Sequence, residues 1–441
     1  MPTPSEIIAS VKGRRVGVVG GGVSGLAAAR LLVAMGADVL LSDSGPREKA
    51  RADLLALPCA FEFDGHTDAL LGRELLVLSP GVKPTHPVLV EATKRGIPSC
   101  AEVELGYCAL PKALPYCGIT GTNGKTTTTA LIGHIVSTSG RRVFVGGNIG
   151  DPLCNLAAGV LAGNALPDIA VLELSSYQCE GLHSFSAAVA VLLNVTPDHL
   201  ERYTSVDAYA AAKARLFEKQ RVDGTSVLNK DDRYAKALGM KLHSRIVWFS
   251  ADDKPRFSFA KSPLLGRHNR ENMMAAIAAC QALGIDEASI QRGLDSFQGV
   301  EHRIERVATV KGVTWFNDSK ATNDDAAAKA LAAVPTPIIW LAGGRDKGGG
   351  YALSRAAATK RVKLAIVFGE AAPLIERAMQ GVCTIARVDN IDEAVARAAG
   401  SAASGDTVLL SPACSSFDQF KNYEERGRAF KALVQALGGS T

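Results

Sequence analysis

The sequence predicts an α/β fold in which parallel β-sheets are covered by helices on both faces. Apolar runs of strand length alternate with longer helical segments, which is typical of parallel strands joined by crossover helices. Glycine-rich turns separate several of these pairs, and the alternation restarts twice along the chain. Because single domains usually hold about 100–200 residues, a chain of 441 residues predicts two or three domains.

The first region opens with an apolar strand that runs into a glycine turn, RRVGVVGGG (14–22). A helix follows in VSGLAAARLLVAMG and is predicted to end at Gly36, since glycine often follows the last helical turn. Two further strands are predicted in ADVLLSD (37–43) and ELLVLSPGV (74–82). We expect this region to end near CAEVELG (100–106).

The second region begins with a strand, a loop and a helix in LPYCGITGTNGKTTTTALIGHIVSTSG (114–140). The runs DIAVLELSS (168–176) and AAVAVLLNV (187–195) are apolar throughout, as in strands that are buried on both faces. Helices are predicted in SVDAYAAAKARLFEKQ (205–220) and RENMMAAIAACQALG (270–284).

The third region begins near GVTWFNDSKATNDDAAAKAL (312–331), after a boundary in FQGVEHR (297–303). It continues through TPIIWLAGG (336–344), KLAIVFG (363–369) and DTVLLSPACSSFDQF (406–420). The sequence therefore predicts three domains, at residues 1–103, 104–299 and 300–441.

The composition excludes several classes of protein. The net charge is +5 and the basic residues are scattered, which predicts no nucleic-acid partner but suits an anionic small substrate. No apolar run approaches the ~18 residues of a membrane span, and the N-terminus lacks a signal-peptide core. We therefore expect a cytoplasmic protein with no membrane partner.

The cysteines indicate a reducing compartment. There are nine of them, an odd number without a CxxC pair, which argues against a disulfide framework. Cys179, Cys280 and Cys414 lie among apolar or small residues, so we expect them in the core.

The turn GGGVSG has the spacing of a phosphate-binding turn, with Gly20, Gly22 and Gly25 between a strand and a helix. Asp43 ends the next strand, where an acid would contact a ribose. A nicotinamide or flavin cofactor, another nucleotide such as a UDP-sugar, and a tight turn without a ligand all fit this segment.

A second loop, GTNGKT, carries the groups that a nucleoside triphosphate needs. Gly121 and Gly124 permit close approach of the backbone, Lys125 can reach the outer phosphates, and Thr126 can offer its hydroxyl to Mg²⁺. Ile119 stands where the common motif has a glycine, so the loop is a variant. A solvated lysine in a glycine-rich turn is the alternative.

Acidic and imidazole side chains follow two neighbouring strands. Glu173 ends one buried strand, and Asp198 with His199 lies in the turn after the next. A carboxylate in such a place is costly unless it faces a site or pairs with a cation. Because ligands bind at the carboxyl ends of parallel strands, a metal site is the better interpretation, although an isolated histidine is more often structural.

Seven segments in this order resemble the Mur ligases of peptidoglycan synthesis, and the resemblance covers nearly the whole chain. The variant phosphate loop is itself a feature of that family. The segments are GTNGKTTT, LELSSYQ, NVTPDHLERY, GRHNRENMMAA, HRIE, FNDSKATN and LSPACSSFDQFKNYEERG.

The resemblance implies three domains: a Rossmann-like N-terminal domain for the UDP-substrate, a central P-loop ATPase-type parallel-sheet domain for ATP, and a Rossmann-like C-terminal domain for the amino acid. NDSKATN and SPACSSFDQFKNYEERG resemble the members that add D-glutamate to UDP-N-acetylmuramoyl-L-alanine through an acyl phosphate. Another ligase of the superfamily, an L-glutamate ligase, a nicotinamide-dependent oxidoreductase and a nucleotide sensor are the alternatives. We expect a monomer.

The resemblance also implies roles for individual residues. In the N-terminal domain, Gly45 stands where the D-glutamate-adding members often have an arginine, and Arg47 is nearby. The implied UDP-substrate contacts are Val23, Ser24, Asp43, Ser44, Ser79, Gly81, Asn148 and His199. The implied D-glutamate contacts are Thr322, Lys347, Ser416, Phe417 and Tyr423.

The remaining implied roles concern ATP and catalysis. Lys125, Glu173, His199 and Lys213 are the implied catalytic residues, and two Mg²⁺ ions would be held by Thr126, Glu173, His199 and a carbamate on Lys213. By residue type alone, Lys213 would be an exposed lysine on a helix. For Asp318 with Lys320, a structural ion pair and a nucleotide contact fit the sequence equally well. The implied ATP contacts are Gly121, Thr122, Asn123, Gly124, Lys125, Thr126, Thr127, Asn269, Asn272, Arg303, Asp318 and Lys320.

Overall fold

In the computed structural model, which describes residues 2–200 and 202–438, the chain forms three β-sheets flanked by helices. The strands, numbered in chain order, are β1 (Arg15–Val19), β2 (Asp38–Ser42), β3 (Ala60–Glu62), β4 (Leu75–Leu78), β5 (Ser99–Ala101), β6 (Tyr116–Thr120), β7 (Val143–Gly147), β8 (Ile169–Glu173), β9 (Val189–Leu192), β10 (Thr225–Asn229), β11 (Arg245–Phe249), β12 (Glu305–Val310), β13 (Val313–Asn317), β14 (Ile338–Gly343), β15 (Val362–Phe368), β16 (Thr384–Arg387) and β17 (Thr407–Leu410).

The helices alternate with these strands, as the sequence predicts, and two short 3₁₀ helices lie at Arg47–Lys49 and Asp68–Gly72. The α-helices are α1 (Pro4–Ala9), α2 (Val23–Ala34), α3 (Ala52–Leu55), α4 (Pro87–Lys94), α5 (Glu102–Ala109), α6 (Lys125–Thr138), α7 (Leu153–Leu161), α8 (Ser176–Glu180), α9 (Val206–Glu218), α10 (Arg233–Gly239), α11 (Arg267–Ala282), α12 (Glu287–Ser296), α13 (Asp324–Ala333), α14 (Ala352–Ala358), α15 (Ala372–Met379), α16 (Ile391–Ser401) and α17 (Tyr423–Ala436).

The first sheet has the order β3-β2-β1-β4-β5 within the described residues, and its strands are parallel. The order reverses between β1 and β4, so the turns after these two strands leave a crevice at their carboxyl ends. The hydroxyl of Ser79, after β4, donates to the carbonyl of Gly20, after β1, over 3.0 Å. The predicted glycine turn therefore lies at the opening of this crevice.

The second sheet, in the order β11-β10-β9-β6-β8-β7, is also parallel across its described strands. Its central strand, β6, pairs Ile119 with Glu173 of β8 and Thr120 with Leu192 of β9. The phosphate-type loop after β6, Glu173, and the turn after β9 consequently share one edge of the sheet. The sequence did not predict the outer strands β10 and β11.

By their contacts, the described residues form two compact units, and the first contains both of these sheets. It comprises the described residues of Met1–Ser258 and Glu271–Leu294, and one hydrophobic core joins its two halves. The buried carboxylate of Glu104, on α5, accepts hydrogen bonds from the backbone of Ser184 (2.7 Å) and of Phe185 (3.1 Å). The α/β fold class is confirmed, whereas the predicted domain boundaries stay a prediction.

The second unit comprises the described residues of Phe259–Arg270 and Asp295–Thr441, and it holds the third sheet in the order β12-β13-β17-β14-β15-β16. Here β12 departs from the predicted parallel pattern and pairs antiparallel with β13. Lys311 and Gly312 connect the two strands with φ angles of 49° and 77°. Positive φ at both residues is the conformation of a tight hairpin turn, and it explains why no crossover helix separates these strands.

Two further predictions concern the whole chain. All nine cysteines lie in the described part and are free thiols, and Cys179, Cys280 and Cys414 are buried as predicted. Among the described helices, none combines the length and apolar character needed to cross a membrane.

The glycine turn of the first sheet yields a test of the fold. A Cβ on Gly25 would lie 1.8 Å from the carbonyl oxygen of Gly20, whereas a Cβ on Gly22 would meet no atom within 4 Å. We expect Gly25→Ala to lower the free energy of unfolding by about 2 kcal/mol or more, because the helix and strand must separate. Gly22→Ser should change it by less than about 0.5 kcal/mol. Equal effects in urea unfolding would contradict this packing.

Candidate active site

The phosphate-type loop is shaped by two glycines at the carboxyl end of β6. Gly121 and Gly124 have φ angles of 153° and 86°, and a Cβ on Gly124 would lie 2.1 Å from the side-chain oxygen of Asn272. Helix α6 begins directly after this loop, so its N-terminal amides and positive dipole face whatever the loop holds. Lys125 and the buried Thr126 open that helix, as predicted.

Asn194, which follows β9, holds the loop in place. Its side-chain oxygen accepts from the Asn123 amide at 2.9 Å, and its side-chain nitrogen donates to the Asn123 carbonyl at 3.2 Å. Its own carbonyl accepts from the Thr122 amide at 2.8 Å. Asn194 is not among the predicted site residues, although it begins the segment NVTPDHLERY.

Two lysines meet at the loop. The ammonium nitrogens of Lys125 and Lys213 both donate to the carbonyl of Gly121, each over 2.8 Å, and Lys125 also donates to the Thr122 carbonyl. Lys213 is 1% exposed and lies over the ring of Tyr209, with 4.3 Å from Nζ to the ring centroid. The expectation of an exposed helix lysine, drawn from residue type alone, is therefore wrong.

Burial controls the charge of Lys213. Loss of hydration, followed by repulsion from Lys125, lowers the pKa of the Lys213 amine to about 7. The carboxylates of Asp198 and Glu173 oppose this shift. A large share of Lys213 is consequently neutral at physiological pH, which leaves its nitrogen lone pair available for chemistry.

Glu173 places a carboxylate at the same edge. Its side chain is 2% exposed, and one oxygen accepts from the side-chain amide of Asn148 at 2.8 Å. The other oxygen, Oε2, is buried without a hydrogen-bond partner among the described residues. A buried carboxylate oxygen in this state is costly unless a cation lies beside it. Since Mg²⁺ prefers oxygen ligands, these residues fit a magnesium site.

His199 lies beside these groups in a strained turn. Its φ is 54°, its Nδ1 is 2.8 Å from the hydroxyl of Tyr177, and its Nε2 is 3.7 Å from a carboxylate oxygen of Asp198. Its ring also contacts that of Tyr209, 5.9 Å away between centroids. The four predicted catalytic residues therefore gather at one edge of the second sheet, and Tyr177 and Tyr209 are partners that the sequence analysis missed.

A separate pocket of about 530 Å³ opens at the crevice of the first sheet. It is lined by six of the predicted UDP-substrate residues: Val23, Ser24, Asp43, Ser44, Ser79 and Gly81. Asn148 and His199, the other two, lie instead at the edge of the second sheet with Glu173 and Tyr177. The predicted set thus divides between two places within the first unit.

Asp43 organises the wall of this pocket. Its carboxylate accepts from the Gly21 amide at 2.5 Å and from the Gly45 amide at 2.7 Å, so it ties two turns together. Arg47 lies over the ring of Phe63, 5.6 Å from its centroid. A Cβ at Gly45 would lie 3.0 Å from the Asp43 carboxylate, so a larger residue there would crowd that side chain.

Further polar residues line the same pocket and were not predicted. Lys83 adds a positive charge, and His66 and His86 lie edge to face with ring centroids 5.1 Å apart. Burial, followed by repulsion from His86, lowers the pKa of His66. A neutral imidazole and a lysine ammonium suit a nucleoside diphosphate.

In the second unit, the predicted D-glutamate contacts lie on the turns that follow β13, β14 and β17. The Lys347 ammonium donates to the Thr322 hydroxyl at 3.3 Å, so the structure brings these two together. Ser416 is buried, whereas Phe417 is 62% exposed. Tyr423 opens α17, and the ring of Tyr423 lies 5.0 Å below the Lys320 ammonium.

Asp318 is buried, and its carboxylate accepts hydrogen bonds from a serine hydroxyl and a backbone amide. Its two oxygens accept from the Ser411 hydroxyl at 2.8 Å and the Ile304 amide at 3.2 Å. Burial raises the pKa of Asp318 to about 7, against the effects of Ser411, Ile304 and Arg303. Asp318 and Arg303 are thus electrostatic neighbours within this unit.

Arg426 was missed by the sequence analysis, although it lies in the segment NYEERG. Its buried guanidinium donates to the carbonyls of Ser319 at 2.8 Å, Cys414 at 3.2 Å and Gly343 at 3.4 Å. It therefore fixes the three turns that carry the predicted amino-acid contacts.

Asn269 and Asn272, both on α11, fall in different units. Asn272 contacts the phosphate-type loop at Gly124 in the first unit, and the Asn269 side chain donates to the Leu265 carbonyl at 2.8 Å in the second.

Three protein families match successive parts of this chain. The Mur ligase MurD-like N-terminal domain matches residues 14–101, the Mur ligase middle domain matches residues 119–259, and the Mur ligase glutamate ligase domain matches residues 302–414. These matches contain the crevice of the first sheet, the phosphate-type loop and the turns after β13 and β14 of the third sheet.

Whole proteins match over nearly their full length. The UDP-N-acetylmuramoylalanine–D-glutamate ligase of Anaeromyxobacter dehalogenans is 44% identical, with 96% of this chain and 98% of that protein covered. The protein of the same name from Sphingopyxis alaskensis is 43% identical, covering 97% and 98%.

Solved structures share the fold at lower identity. UDP-N-acetylmuramate-alanine ligase MurC of Thermotoga maritima superposes with a TM-score of 0.61 at 20% identity, over 96% of this chain and 99% of that one. A pseudomurein peptide ligase type C from Methanothermus fervidus gives 0.56 at 19%, over 96% and 100%.

The buried amine of Lys213 predicts a pH-dependent stability. Its folded pKa lies below its unfolded value near 10.4, so the unfolded chain binds more protons between about pH 7 and 10, and stability rises with pH across that window. We expect Lys213→Met to stabilise the protein at pH 7, with a gain that shrinks towards pH 10. The measurement is urea unfolding at both values in CO₂-free buffer.

Lys219→Met, at an exposed position just after the same helix, is the matched control and should alter stability by less than about 0.5 kcal/mol. A Lys213→Met effect that is the same at both pH values would contradict the low pKa.

Proposed function

This chain belongs to the Mur ligase family, and on that premise we propose that it joins D-glutamate to UDP-N-acetylmuramoyl-L-alanine with conversion of ATP to ADP and phosphate. The activity is that of an ATP-dependent acid–amino-acid ligase in peptidoglycan precursor synthesis. It therefore serves cell wall biogenesis, cell shape and cell division.

One observation carries the chemistry: Lys125, Lys213 and a buried, partly unsatisfied Glu173 meet at the edge where the phosphate-type loop opens α6. This is an environment for polyphosphate and magnesium, and a hydride-transfer enzyme has no use for it. A nicotinamide-dependent oxidoreductase would account for the glycine turn at residues 20–25 but not for this edge.

The reaction must first activate a carboxylate, since a carboxylate is a poor electrophile. An oxygen of the L-alanyl carboxylate attacks the γ-phosphorus of ATP, the bond between that phosphorus and the bridging oxygen breaks, and ADP leaves. The amino group of D-glutamate then attacks the carbonyl carbon of the acyl phosphate. The carbon–oxygen bond to phosphate breaks, inorganic phosphate leaves, and the nitrogen loses a proton.

The residues of this chain position the substrates and balance their negative charge, and none of them acts as a nucleophile. The Lys125 ammonium and the amides of α6 balance negative charge on the transferred phosphoryl group, while Asn194 keeps the loop in shape. Glu173 and Thr126 would hold a magnesium ion, which would supply positive charge to the phosphate oxygens. No nucleophilic side chain is needed for either step.

Two finer points belong to this proposal: a second magnesium ion near His199, and a carbamate on Lys213. A neutral amine adds to CO₂ with loss of one proton and becomes an anionic carbamate. The low pKa of Lys213 supports this step because it provides the neutral amine at pH 7. A carbamate beside Glu173 and His199 would supply the additional oxygen ligands that a second cation requires.

The two other substrates are assigned to separate places. The pocket of the first sheet suits the uridine diphosphate, through Asp43, Ser79 and Lys83. We assign D-glutamate to Thr322, Lys347, Ser416, Phe417 and Tyr423, and further ATP contacts to Asn269, Asn272, Arg303, Asp318 and Lys320. We further propose that the enzyme is a cytoplasmic monomer organised as domains 1–103, 104–299 and 300–441.

The proposed activity predicts phosphate release from ATP that requires both UDP-N-acetylmuramoyl-L-alanine and D-glutamate, with a product heavier by one glutamyl unit. Lys125→Ala should lower the rate by about 100-fold or more, because an ammonium facing the transferred phosphate is lost. Phosphate release and product mass are measured together, and Lys219→Ala is the control with an exposed lysine.

Parallel assays with D-glutamate and with L-glutamate distinguish an error in the assigned substrate from an error in the mechanism. Release with L-glutamate but not with D-glutamate would keep the mechanism and overturn the assigned substrate. An active Lys125→Ala variant would overturn the assignment of the phosphate-type loop.

A further inference from the structure

Arg202 lies between the two sites of the first unit and has no part in the steps above. It is three residues after His199, its amide donates to the His199 carbonyl at 3.0 Å, and its side chain is 13% exposed. A nearly buried arginine must find partners for its charge and its donors. Those partners come from both halves of the unit.

One partner belongs to the nucleotide pocket. Arg202 Nη1 donates to the carbonyl of Val82 at 3.1 Å, and Val82 lines that pocket together with Ser79 and Gly81. This hydrogen bond joins the turn after β4, in the first sheet, to the turn after β9, in the second sheet. The two residues that it joins are 120 positions apart in the sequence.

The other partners fix the guanidinium on the second sheet. Arg202 forms a two-pronged ion pair with Glu180, with distances of 3.3 and 2.5 Å, and Glu180 also accepts from the Tyr203 hydroxyl at 2.5 Å. A bidentate arginine–carboxylate pair of this kind sets both position and orientation.

The same guanidinium lies on the ring of Tyr177, with 4.1 Å between its central carbon and the ring centroid. The hydroxyl of that tyrosine is 2.8 Å from Nδ1 of His199. A stacked arginine limits the tilt of the ring, so Arg202 acts on His199 through Tyr177 as well as through the backbone of the turn.

We infer that Arg202 is a positioning residue that sets the span between the nucleotide pocket and the edge where the acyl group reacts. The inference rests on the proposed function, in which a single UDP-substrate must occupy both places at once. Its uridine end is held beside Ser79, and its carboxylate must reach the phosphate loop. Arg202 contacts the turns at both ends of that distance.

The nucleotide pocket itself does not need Arg202. The Ser79 amide donates to the Val19 carbonyl at 2.9 Å, and the Ser79 hydroxyl donates to Gly20, so the turn after β4 is held within its own sheet. Loss of Arg202 should therefore leave binding of UDP intact and disturb only ligands that reach the second sheet. The affinity for UDP therefore distinguishes a residue that sets the distance between the two sites from one that forms the pocket itself.

The test compares the effect of a substitution on the full substrate, UDP-N-acetylmuramoyl-L-alanine, with its effect on the fragment UDP. Arg202→Lys keeps the charge but loses the bidentate and stacked geometry. We expect kcat/KM for UDP-N-acetylmuramoyl-L-alanine to fall by about 10-fold to 100-fold, as for small misplacements of a reacting group. The affinity for UDP, from calorimetry, and the KM for ATP should change by less than about 2-fold.

Two companion variants sharpen the result. Tyr177→Phe keeps the stacked ring but removes the hydroxyl beside His199, and it should lower kcat while leaving the affinity for UDP unchanged. Arg221→Lys alters an exposed arginine whose ion pair with Asp223 lies at the surface, and its kinetics should equal those of the wild type. Thermal unfolding of each variant confirms that the fold is kept.

Wild-type values of kcat/KM in Arg202→Lys would overturn the inference. So would a loss of UDP affinity as large as the loss in kcat/KM, because Arg202 would then only build the pocket. A wild-type protein without D-glutamate-dependent activity would refute the proposed function itself, and the inference with it.

Discussion

The burial of the Lys213 amine against the Gly121 carbonyl is the interaction on which the active site depends. It places a second amine beside the Lys125 ammonium, because both nitrogens donate to the same carbonyl oxygen. Such an arrangement is destabilising for the protein alone and favourable once a polyanion or a carbamate is present. The unsatisfied oxygen of Glu173 is likewise unfavourable in the protein alone and becomes favourable once a cation binds beside it. The edge of the second sheet is thus preorganised for ligands of both signs.

The same topological rule, applied twice, produces the two sites of the first unit. In each sheet the central strand is followed by a glycine turn and a helix, and the neighbouring strands end at the same edge. The first sheet uses this edge for a pocket lined by one lysine and two histidines, and the second uses it for a loop at which two lysines meet. What distinguishes them is the set of side chains at the strand ends, because the backbone arrangement is similar.

Much of this organisation follows from local sequence, and the rest depends on contacts between distant residues. Glycine turns after apolar runs predicted α2, α6 and the strands around them, and motif order predicted which residues gather at the second sheet. Helical periodicity could not show that Lys213 faces inward, since its acceptor, Gly121, is 92 residues away. Arg202 and Arg426 were missed for the same reason: their partners lie on other turns and helices, and such contacts leave no pattern in the sequence. The hairpin of β12 and β13 depends on Lys311 adopting a positive φ, which is uncommon for lysine.

The most direct measurement of the central claim is the carbon-13 NMR spectrum of the protein equilibrated with ¹³C-labelled bicarbonate. If the buried Lys213 amine is neutral near pH 7 and open to CO₂, the wild type will show a carbamate carbonyl signal that is absent from Lys213→Met. The exposed-lysine variant Lys219→Met should retain that signal. Identical spectra for the wild type and Lys213→Met would contradict the account, because Lys213 would then form no carbamate.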